Sequence, residues 1–99
     1  MIRHIVLWKL KDDADASREE RIAMIRGAIE PLAELVPSVR ALEIVENSAY
    51  HEANYEVALI SDFDDVAGLD EYQQHPAHVE AAAIVRSQVA SRPSVDFVV

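Results

Sequence analysis

Ninety-nine residues, 51% of them apolar, describe one small folded domain over residues 1–99 rather than a disordered chain. A formal charge of −9, with the basic residues scattered, excludes nucleic acid and an anionic membrane as natural partners. The absence of cysteine removes disulfides, thiolate nucleophiles and zinc–thiolate sites, and with no leader-like or membrane-spanning run a cytoplasmic protein is expected.

Residues 2 to 10 place Ile5 and Leu7 on one face and His4, Val6, Trp8 and Leu10 on the other, which suits a strand covered on both sides. Ser17-Arg18-Glu19-Glu20 has the form of a capping box. Behind it Ile22, Ile25, Ile29, Leu32 and Val36 recur at helical spacing, so a helix is expected up to Pro37, kinked between Gly27 and Pro31.

A second strand is expected over Val39 to Val45, a polar loop over Glu46 to Asn54, and a third strand over Tyr55 to Ser61. Asp62, Asp64 and Asp65 suit a helix N-terminus, where free amides and the dipole favour negative charge. That helix runs to about Gln74. Pro76 then suits the first position of a new helix, with His75 before it able to cap. Val79, Ala82, Ala83, Val85 and Val89 give the new helix its buried side, and Val95 to Val99 forms the last strand.

The order is β-α-β-β-α-β. It predicts an α+β, ferredoxin-like subunit: a four-stranded antiparallel sheet with both helices on one face. The uncovered face still carries apolar side chains. A second copy packing sheet to sheet is the simplest cover, so the expected partner is the chain itself, in a homodimer forming a dimeric α/β barrel.

Chemistry concentrates in Tyr72-Gln73-Gln74-His75-Pro76-Ala77-His78. An imidazole titrating near ~6.5 suits proton removal, and a phenol near ~10 suits proton donation. Tyr72 also fits an amphipathic core position, and His4 on an apolar face reads from pattern alone as a core histidine. Trp8 reads as core or dimer interface beside His4. Arg92 and Asp96 are placed to pair and fix the last strand. His75 and His78, three residues apart, lack a third ligand, so no metal is expected. Gly27 and Gly68 are the only glycines, which excludes a glycine-rich phosphate loop.

Arg3-His4-Ile5-Val6-Leu7-Trp8-Lys9, Glu71-Tyr72 with His75-Pro76-Ala77-His78-Val79, and Arg92 to Val98 together resemble the stress-responsive dimeric α/β-barrel family over essentially the whole chain. The resemblance implies a dimeric barrel of ferredoxin-like subunits. One plant branch of that family, the olivetolic acid cyclases, closes a linear polyketide by intramolecular aldol condensation. By resemblance Tyr72 and His78 match its catalytic pair and His4 matches a pocket histidine, whereas Val57 stands where that branch has a further pocket histidine.

The expected function is therefore binding of a small apolar or aromatic, polyketide-like molecule near His4, Trp8, Tyr72, His75 and His78, without a cofactor. The alternative is a cofactor-independent cyclase or isomerase with His78 as general base and Tyr72 as donor.

Overall fold

The computed structural model describes residues 1–99. Its elements in chain order are β1 (Ile2–Leu10), α1 (Arg18–Ile29), α2 (Leu32–Leu35), β2 (Ala41–Glu46), β3 (Val57–Phe63), α3 (Val66–Gln74), α4 (Pro76–Gln88), β4 (Val89–Ser91) and β5 (Ser94–Val98). All strand pairs are antiparallel, in the order β2-β3-β1-β4, and β5 also pairs with β1. The fold is α+β and ferredoxin-like, with the helices on one face of the sheet.

Alternation sets the two faces. Trp8 and Leu10 of β1, Val57, Leu59 and Phe63 of β3, and Ile44 of β2 are buried beneath Ile22, Ile25 and Ile29 of α1 and Val85 of α4. The opposite face has no helix. Leu7, Val45, Val95 and Phe97 remain exposed, and Arg3 makes a bidentate ion pair with Asp62 at 2.8 and 3.1 Å.

The capping box at the start of α1 is complete, with Ser17 Oγ accepting from the Glu20 amide and the Glu20 carboxylate accepting from the Ser17 amide. The expected kink is a full break, and Pro31 alone makes it. Proline has no N–H to continue the helical ladder, so α1 ends at Ile29 and α2 restarts at Leu32, while Gly27 sits inside α1. Leu32 and Val36 stay in the core across the break.

Several expectations shift. The third strand lies two residues later than Tyr55 to Ser61, so Asp62 belongs to β3 opposite Arg3. Asp64 pairs with Arg40, and only Asp65 caps α3, accepting from the Gly68 amide at 2.8 Å. The second strand starts at Ala41 rather than Val39. Val89 is buried but opens β4 instead of extending α4, which adds a strand to the four expected, and the last strand, β5, starts at Ser94 rather than Val95. Pro93 separates β4 from β5 because it has no amide for the ladder, although its carbonyl accepts from the Leu7 amide at 2.9 Å.

Candidate functional site

The helix break at His75-Pro76 builds the site. A residue preceding proline is pushed out of helical geometry, and His75 adopts ψ 134°. Its Nδ1 accepts from the Ala77 amide at 3.0 Å, which caps α4. The sharp turn from α3 into α4 brings Tyr72 against His78, with ring centroids 4.4 Å apart and planes inclined by 54°. His4 reaches the same place from β1, its ring 6.5 Å from that of Tyr72.

Hydrogen bonding fixes which ring nitrogens are free. His78 Nδ1 lies 3.1 Å from the Gln73 carbonyl oxygen, which can only accept. Nδ1 therefore carries the hydrogen, and in the neutral ring Nε2 is the open base. His4 Nδ1 is bonded to Asp96 Oδ1. A carboxylate also accepts only, so His4 takes the same tautomer and is held in orientation by β5.

The electrostatics separate the two neighbours. Burial pushes the His78 imidazole below its ordinary value, the bond to Gln73 opposes this, and the nearby His4 and Arg86 charges push the same way as burial. Burial pushes the Tyr72 phenol up to about 12. Near neutrality the site thus holds an uncharged imidazole base beside a phenol that keeps its proton. Tyr72 is fully buried, and its hydroxyl has no hydrogen-bond partner.

These groups line a cavity of about 340 Å³ beneath α4. Val6, Trp8, Leu59, Val79 and Val85 form apolar wall, while Gln73, Arg86, Arg92 and Ser94 supply polar groups. His4, Trp8, Tyr72 and His78 all line this cavity. His75 does not line it, and its Nδ1 is committed to the cap. No three His, Asp or Glu side chains converge as a metal-ligand set.

Arg92 and Asp96 do not pair. Asp96 turns to His4, and Arg92 stands at the cavity without a carboxylate partner. The register of β5 against β1, which sets His4 opposite Asp96, is the signal that sequence reasoning passed over. It also passed over Arg86, which follows His78 and Ala82 at four-residue steps on one helical stripe.

Comparison with known proteins places the chain further. The model of the stress responsive A/B barrel domain matches residues 2–99. A dimeric protein of ferredoxin-like fold from Bacteroides fragilis is 33% identical, with 97% of this chain and 93% of that chain covered and a TM-score of 0.80. A dimeric ferredoxin-like protein from Thermobifida fusca is 28% identical, with coverage of 99% and 90% and a TM-score of 0.84. The hydroxynitrile lyase of Passiflora edulis, 18% identical with coverage of 99% and 92% and a TM-score of 0.84, shares the fold alone.

Proposed function

Because the chain belongs to the stress-responsive A/B barrel domain family, we propose that it is a homodimeric binding protein for a small molecule. The ligand is largely apolar or aromatic, of polyketide-like size and polarity, and sits in the cavity beside His4, Tyr72 and His78. One observation carries this reading: an apolar-walled cavity of about 340 Å³ is lined by a tyrosine whose buried hydroxyl has no partner. An unsatisfied buried hydroxyl costs about 1–3 kcal/mol, and a ligand oxygen accepting from it recovers that cost. Concave apolar sites with a few polar groups are the usual form of small-molecule sites.

The homodimer is supported by the bare sheet face, where Leu7, Val45, Val95 and Phe97 lie exposed together with no helix to cover them. The dimeric state of the Bacteroides and Thermobifida proteins agrees with it.

Trp8 is the only tryptophan and lies in the cavity wall, so its fluorescence reports occupancy directly. Titration with para-alkylphenols of increasing chain length is expected to give a saturable change, lost in Ala82→Phe, which fills the cavity. A response that never saturates across the whole series sinks the reading.

A second reading is favoured by the 4.4 Å approach of Tyr72 and His78 and by their opposite titration shifts. His78 Nε2 takes a proton from a carbon next to a carbonyl, and the Tyr72 hydroxyl donates to the developing enolate oxygen, as in a cofactor-free cyclase or isomerase. Hydrogen–deuterium exchange at that carbon of a bound ketone, lost in His78→Gln, is the signature this reading requires.

A further inference from the structure

From the charge around the cavity we infer that its ligand carries a carboxylate, recognised by Arg86 and Arg92. This rests on the cavity being a binding site, and it specifies what that site selects. In a chain of net charge −9, arginines seldom lack an acidic partner. Arg3 pairs with Asp62, Arg18 with Glu46 and Glu56, Arg21 with Asp13, Arg26 with Glu30 and Glu46, and Arg40 with Asp64. The remaining two, Arg86 and Arg92, pair with none, and both line the same cavity.

The cavity itself contains no aspartate or glutamate side chain. Two smaller hollows on the surface do: one is lined by Asp13, Asp15 and Glu20, the other by Asp64, Asp65 and Glu71. Acidic groups thus line both of those hollows and are missing from this one. Asp96, on the strand that follows Arg92, is bonded to His4 and forms no ion pair with either arginine.

The two arginines come to the one cavity from different elements and are not a local run of charge. Arg86 projects from α4 two helical turns beyond His78, and Arg92 comes from the break between β4 and β5. Both are exposed, whereas Trp8, Leu59 and Tyr72 are buried deep in the wall. The arrangement fits an amphiphile with its apolar body among those residues and its carboxylate at the mouth. A planar guanidinium offers paired N–H donors that match the two oxygens of a carboxylate.

The test compares para-hexylbenzoate with para-hexylbenzamide, of like shape but uncharged, by calorimetric titration of the full-length protein. The benzoate is expected to bind at least about tenfold more tightly. Its advantage shrinks as salt rises, because the arginines are exposed. In the double variant Arg86→Gln, Arg92→Gln the ratio between the two probes collapses toward one. Equal affinity for both in the wild type, or a ratio that survives the double variant, overturns the carboxylate inference and leaves the cavity reading standing. Binding of neither probe overturns the cavity reading itself.

Discussion

His4 of β1 and Asp96 of β5 face each other directly across the strand pair, and the Nδ1–H of His4 is bonded to Asp96 Oδ1. A buried imidazole is thereby fixed in one tautomer by a carboxylate that is itself half in solvent. Asp96→Ala removes the acceptor and leaves a buried N–H without a partner. The variant is expected to lose about 1–2 kcal/mol of stability. Long-range nitrogen–proton correlation spectra should show His4 as the Nδ1–H form in the wild type and as a mixture in the variant. An unchanged tautomer in Asp96→Ala would mean that packing, not Asp96, orients the ring.

Tyr72→Phe separates stability from function. The hydroxyl is buried and unpartnered, so its removal is expected to raise the unfolding free energy by about 1 kcal/mol. For a domain of this size that corresponds to a gain of about 4–8 °C in Tm. Ligand affinity should fall in the same variant. A drop in Tm would show that the hydroxyl has a structural partner, such as a bridging water.

His78 makes stability depend on pH. Its folded value lies below the unfolded one, chiefly through burial, so between the two values the unfolded chain binds more protons. Stability then rises with pH through the ordinary histidine range and falls below it. Urea midpoints should be lower at about pH 5 than at about pH 7.5, and His78→Gln should flatten the part of the slope that this residue supplies. An identical slope in the variant would assign the effect to other groups.

The open sheet face gives a prediction on assembly. Val95→Asp places a charge directly opposite Ile5 on that face, between the exposed side chains of Leu7 and Phe97. Light scattering is expected to give twice the 11.0 kDa chain mass for the wild type and the single-chain mass for the variant. A monomeric wild type would require another cover for that face.

The fold was legible because its signals are local and redundant. The capping box of Ser17 and Glu20, the stripe from Ile22 to Ile29 and the alternation of β1 all point to the same elements. Boundaries failed where residue type underdetermines structure. Asp62 suits a helix start as well as a strand, and only its pairing with Arg3 across the sheet settles the choice. Val89 suits either a helix or a strand, and β4 claims it.

The site was legible in part for the same reason. The break at His75-Pro76 is a local signal, and it does bring Tyr72 against His78. The roles of Asp96, Arg86 and Arg92 depend on strand register and on which charges find partners. Those are tertiary facts. Arg92 and Asp96, close in sequence, were natural partners until β1 supplied His4.

Native mass spectrometry of gently purified protein tests the central claim most directly. A wild-type homodimer is expected to carry an additional small-molecule mass that disappears on acid denaturation and is absent from Ala82→Phe. A bare wild-type protein, or an extra mass borne equally by Ala82→Phe, contradicts the assignment of the cavity as a binding site.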